Sequence, residues 1–77
     1  MQQSLILYGT LGCHLCEDAA RVLQALALDY HTVDIVDDNT LLERFGTSIP
    51  VLHRTDIIDA YLYWPFGMEQ VSDWLNQ

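Results

Sequence analysis

Within residues 7–23, LYGTLGCHLCEDAARVL, an apolar run passes through two glycines and a pair of cysteines and settles into helical spacing. Ser4 to Tyr8 is too short for a helix and is bounded by Gly9 and Gly12, which fits a buried central strand. After Cys13 the apolar positions Cys16, Ala19, Ala20, Leu23, Leu26 and Ala27 recur at three- and four-residue steps. Glu17, Asp18, Arg21 and Gln24 take the other side, so the segment is an amphipathic helix with its acidic residues in the first turn, where the helix dipole favours them. A strand that turns directly into a helix is the first half of a right-handed crossover to a parallel neighbour.

The remaining chain supplies the rest of such a sheet. Asp29 closes the helical segment, and YHTVDIV follows as a strand with Val33 and Ile35 on one face and Thr32 and Asp34 on the other. DDNTLLERFG starts with the N-cap candidates Asp38 and Asn39, carries Leu41, Leu42 and Phe45 at helical spacing, and stops at Gly46 as a C′ residue. In TSIPVLHR, Pro50 restricts Ile49 to extended backbone, and DAYLYW after a turn at 54–56 completes a hairpin. MEQVSDWLNQ places Met68, Val71, Trp74 and Leu75 on one face of a closing helix. The expected fold is α/β, a four-stranded mixed sheet with three helices in the order β-α-β-α-β-β-α. With 77 residues the chain is read as one domain, 1–77, with a single modest core.

Eleven acidic residues oppose Arg21, Arg44 and Arg54 with no lysine, a formal charge of −8. Such a chain repels phosphate backbones and anionic lipid, so neither nucleic acid nor membrane is an expected partner. The N-terminus MQQSLILYG has no basic n-region, and no run of about twenty apolar residues occurs, so the expected location is the cytoplasm. Thiols are kept reduced there, and a close cysteine pair is then catalytic, redox-active or metal-binding rather than a structural staple.

Cys13 falls at the start of the first helix, where unsatisfied N–H groups and the positive end of the dipole stabilise a thiolate. Cys16 lies one turn later on the inward side. Cys13 can attack a disulfide and Cys16 can resolve the mixed disulfide that results. A lone C-x-x-C is also half of a zinc site, which leaves a metal or iron–sulfur module sharing Cys13 and Cys16 with a partner chain as a rival. A non-catalytic partner-binding domain is a third reading. His14, between the cysteines, is a candidate tuning residue. Glu17 reads as a first-turn acid, and His31 and His53 as strand residues. Tyr61, Tyr63, Trp64 and Phe66 form an aromatic cluster in which WPFG is either core, lid or interaction surface. Asp34, Asp37 and Asp38 read as solvated and capping carboxylates, not a metal site.

A strand before GCHLC, a helix after it and an isolated Ile49-Pro50 entering a later strand resemble the thioredoxin fold. The chain resembles a small glutaredoxin-like protein of that superfamily, close to a bacterial group of short members. The likeness runs from the first strand through GCHLC and ERFGTSIPVL to the last helix. It implies a thiol–disulfide oxidoreductase with catalytic Cys13 and Cys16, acting on protein or small-thiol disulfides; the cysteine pair carries both electrons, so no dissociable cofactor is expected, and the expected state is a monomer. It further implies a cis Pro50 beside the cysteines and an Ile49 backbone that pairs with the substrate. The chain departs from glutathione-binding relatives at two places. Thr10, a second tuning candidate, stands where they resemble one another in a lysine, and YLYWPFGME stands where they have Gly-Gly and an acid. Glutathione is therefore an open candidate that these departures count against, with Arg44 or Arg54 left to hold it.

Overall fold

Leu5 and Leu7 point to one side of the first strand and Tyr8 to the other, and all three are buried, as a strand covered on both faces requires. The computed structural model describes residues 4–76; positions 1–3 and 77 of the expected domain, including the start of the N-terminal segment read for a leader, lie outside the described residues. The elements are β1 (Leu5–Gly9), α1 (His14–Ala25), β2 (His31–Asp34), a 3-10 turn (Ile35–Asp37), α2 (Asn39–Phe45), β3 (Val51–Arg54), β4 (Ala60–Tyr63) and α3 (Met68–Leu75). The sheet order is β2-β1-β3-β4. β1 runs parallel to β2, and β3 lies antiparallel to both β1 and β4. This is the four-stranded mixed sheet with three helices that the sequence predicts. No helix among the described residues is long and apolar enough to cross a membrane.

Each face of the sheet has its own core. Under α1 and α3, Leu5 and Leu7 meet Ala19, Leu23 and Val71, with Phe66 closing the cluster. Under α2, Tyr8, Ile35, Phe45 and Val51 pack together. The closing helix therefore buries Val71, but Met68, expected on the same face, keeps 47% of its surface exposed in the first turn.

Several boundaries differ from the sequence reading, each for a local reason. Helix α1 ends at Ala25, and Ala27 adopts a left-handed φ of 55° so that Leu28 N–H can reach the Leu23 carbonyl at 3.1 Å. Leu26 still packs on the core from beyond the helix. Strand β2 stops at Asp34 because its carboxylate accepts Val36 N–H at 3.1 Å and caps the 3-10 turn. Ile35 is buried as expected, but the turn carries it there. Asp38 caps α2 by accepting Thr40 and Leu41 N–H. Gly46 is not left-handed (φ −53°); a Cβ there would stand 2.5 Å from the Leu42 carbonyl oxygen, so close approach and not dihedral freedom calls for glycine.

On the α2 face His53 stacks on Tyr61 with ring centroids 4.3 Å apart. Tyr8 donates its hydroxyl proton to Nδ1 of His53 at 3.1 Å in the tautomer protonated on Nε2. Burial, then the nearby Arg44 charge, push the His53 pKa below its ordinary 6.5, with Asp59 opposing. Below pH 6.5 the unfolded chain then binds a proton that the folded chain resists, so stability falls as the pH drops from 6.5 through the folded-state value. Urea midpoints measured between about pH 7.5 and 5 are expected to fall with acid in the wild type and to fall less steeply in His53→Gln. Parallel pH profiles for the two proteins would contradict this.

Candidate active site

Where β1 ends, the chain must reverse into α1 within a few residues. Gly12 makes this turn with φ +80°, a region that L side chains rarely adopt. Cys13 N–H donates to the Thr10 carbonyl at 3.4 Å, which closes the loop. Cys13 is the N-cap of α1 in extended backbone (φ −86°, ψ 106°), and its Sγ accepts the Cys16 N–H at 3.1 Å. Here a cysteine sulfur fills the role that a Ser or Asp oxygen usually fills at a helix start. The same bond brings the two cysteines to a Cα separation of 5.2 Å, with their sulfurs joined as a disulfide.

Gly9 makes room for this pair. A Cβ at Gly9 would sit 2.9 Å from Cys16 Sγ and 3.1 Å from Cys16 Cβ, so the strand end carries no side chain where the second sulfur packs. Gly9→Ala is expected to destabilise the fold by about 1–3 kcal/mol through overpacking and to slow closure of the Cys13–Cys16 disulfide. Thermal unfolding of the reduced and oxidised forms checks the first effect and quenched alkylation the second. Wild-type behaviour in both would contradict the assigned role.

The other predicted site residues fall in different places. β1–β3 pairing joins Tyr8 to Val51, and extending that register by one residue sets buried Pro50 beside Gly9. The Ile49–Pro50 bond is cis. Ile49 N–H donates to the Phe45 carbonyl at 3.2 Å. His14 is 94% exposed, and its Nδ1 faces Glu17 Oε2 at 3.4 Å. Thr10 acts in the turn through its backbone carbonyl.

The two arginines read as candidates to hold glutathione each have partners among the described residues. Arg54 pairs with Leu5, at the end of the sheet away from the cysteines. Its Nε donates to Asp56, holding that carboxyl below the usual range, and its Nη1 donates to the Leu75 carbonyl. Arg44 rests over the Tyr61 ring at 4.6 Å and the Phe45 ring at 5.0 Å. Phe66 belongs to the core, whereas Tyr63 is exposed and Tyr61 and Trp64 are half-buried.

Two features of the site escaped the sequence reading. Trp64 N–H donates to the Pro50 carbonyl at 3.3 Å, tying the WPFG segment to the proline loop. The signal for it was Pro65, which biases residue 64 toward extended backbone. The second feature is a cleft of ≈ 280 Å³ between α1 and β2 that opens on Cys13 and Cys16 and is lined also by Leu7, Glu17, Val33 and Asp34. It lies at the carboxyl ends of two parallel strands, where ligands of open α/β sheets collect. Among the described residues no group of three His, Cys, Asp or Glu side chains is arranged to hold a metal ion, so a metal held by Cys13 and Cys16 would need ligands from elsewhere.

Comparison with known proteins agrees with this geometry. A family model described as the glutaredoxin-like domain matches residues 4–76. The X-ray structure of the Northeast Structural Genomics target protein XcR50 from X. campestris is 37% identical, with a TM-score of 0.83 over 94% of this chain and 95% of that one. The solution structure of the same target gives a TM-score of 0.80 at 37% identity, over 94% and 91%. Thioredoxin 1 from the thermophilic eubacterium Thermosipho africanus TCF52B is 11% identical, with a TM-score of 0.59 over 95% and 90% of the two chains, a likeness of fold. No curated protein matches the chain significantly.

Proposed function

Because the chain belongs to the glutaredoxin-like domain family, we propose that it is a thiol–disulfide oxidoreductase that reduces protein or mixed disulfides with Cys13 and Cys16. The observation that carries this reading is the Cys13 sulfur at the N-cap of α1, accepting the Cys16 N–H at 3.1 Å and within bonding reach of the second sulfur. In the reduced protein that N–H and the helix terminus favour a thiolate at Cys13.

The thiolate attacks one sulfur of the substrate disulfide, the S–S bond breaks, and the departing thiolate takes a proton from solvent. Cys16 then gives its proton to solvent and attacks Cys13 Sγ, releasing the second substrate thiol and leaving the protein disulfide. Both electrons come from the cysteine pair, and a thiol reductant returns them to start the next cycle. With the Ile49 amide already donated to Phe45, the Ile49 carbonyl is the backbone group left to receive an extended substrate strand. Thr10 tunes the site by fixing the turn and His14 through Glu17. Among the described residues no arginine lines the cleft, which favours protein disulfides over an anionic tripeptide such as glutathione. The direction of the reaction suits the cytoplasm, where the pair rests as a dithiol.

Prereduced protein mixed with bis(2-hydroxyethyl) disulfide tests the reading. One intramolecular disulfide per chain should form as two equivalents of 2-mercaptoethanol are released. Retention of both free thiols at equilibrium with excess disulfide would reject it.

A further inference from the structure

Beside the sulfurs, the cleft between α1 and β2 has a chemistry of its own. Leu7, Ala20 and Val33 line it, and Leu11 at the same cleft keeps 91% of its surface in water. The Leu11 side chain offers apolar surface next to Cys13 that a substrate side chain seated in the cleft would cover. The charged groups of the cleft are Glu17 and Asp34, both acidic. Asp34 spends one carboxylate oxygen on Val36 N–H, and exposed Glu17 faces the His14 ring at 3.4 Å. The volume of ≈ 280 Å³ lies near the lower bound of about 300 Å³ for small-ligand pockets, room for one or two side chains.

Resting on the oxidoreductase reading, we propose that this cleft selects the substrate: it takes an apolar side chain next to the substrate cysteine, in a polypeptide whose other flank is cationic. The apolar side chain covers Leu11 and fills the space beside Leu7 and Ala20. The cation meets Glu17 and Asp34 in the field of a chain that carries a net −8. The exchange itself is unchanged. Cys13 attacks the peptide's disulfide, the displaced thiolate takes a proton from solvent, and Cys16 closes the protein disulfide with both electrons supplied by the pair.

The test uses three acetylated, amidated pentapeptides, Ala-Leu-Cys-Arg-Ala, Ala-Leu-Cys-Glu-Ala and Ala-Gly-Cys-Arg-Ala, each disulfide-bonded to 2-mercaptoethanol. Prereduced protein is mixed with each, and second-order rate constants are read by mass spectrometry after acid quench. The Leu/Arg peptide should react about tenfold faster than the Leu/Glu peptide at low salt, and the ratio should shrink toward one at about 0.5 M salt. It should also outpace the Gly/Arg peptide severalfold, and Leu11→Ser should erase that advantage. In Glu17→Gln/Asp34→Asn the Arg-to-Glu ratio should approach one, with Glu17→Gln alone in between; asparagine at 34 can still accept Val36 N–H. Ratios taken within one variant cancel any change in Cys13 reactivity. Equal wild-type rates for the Arg and Glu peptides, or a ratio unmoved in the double variant, would overturn the cleft's role and leave the oxidoreductase reading standing. Failure of all three peptides and of bis(2-hydroxyethyl) disulfide to oxidise the pair would overturn both.

Discussion

Cys13→Ser should bring disulfide exchange down to the uncatalysed background, a loss of roughly a thousandfold or more, as removal of a nucleophile does. Cys16→Ser should behave differently. Its Cys13 still sits at the N-cap of α1 and still accepts the backbone N–H of residue 16, since that bond does not involve the side chain lost. The first attack therefore proceeds, and without a resolving thiol a one-to-one mixed disulfide on Cys13 accumulates. Intact-mass measurement after reaction with a disulfide substrate separates the two variants. Equal residual activity in both would show that the cysteines do not divide the work as nucleophile and resolving thiol.

Phe45→Ala should cost about 3–5 kcal/mol. Phe45 is 1% exposed and anchors the smaller core, stacking on Tyr8 at 5.0 Å and meeting Tyr61 at 5.6 Å. A domain of this size has a total stability of about 4–12 kcal/mol, so the variant loses much of its margin and its Tm by roughly 15–30 °C. The backbone bonds from Ser48 and Ile49 N–H to the residue 45 carbonyl do not involve the side chain lost, so the expected effect is on stability. Urea and thermal unfolding measure the cost. A change below about 1 kcal/mol would mean that α2 contributes little to the fold, against its burial.

The element order was legible because the sequence carries strong local signals in the right succession. The apolar run at Leu5–Tyr8, the glycine-flanked cysteines, the Asp38 cap and Pro50 each bias the backbone on their own, and the structure honours each of them. What escaped depends on residues distant in sequence or on exact chain reversal. Ala27 takes a left-handed dihedral that alanine does not advertise, because Leu28 must turn back onto Leu23. Asp34 ends a strand by capping the next turn, which alternation alone does not reveal. Arg54 was a candidate ligand-binding cation by charge, yet it is committed to Asp56 and to the carbonyl of Leu75 across the fold. The site was half visible. Cys13, Cys16 and their glycines announce themselves by spacing, whereas the cleft joins Leu7, Glu17, Val33 and Asp34 from three elements and has no local pattern.

Redox titration of the metal-free protein in glutathione buffers, with mass spectrometry distinguishing free thiols, intramolecular disulfide and glutathione adduct at each poise, tests the central claim most directly. A reversible Cys13–Cys16 disulfide with a midpoint in the range of roughly −180 to −270 mV is the predicted result, with little adduct at any poise. Thiols that stay reduced across the whole titration, or a pair that never cycles, would contradict a redox function for this site.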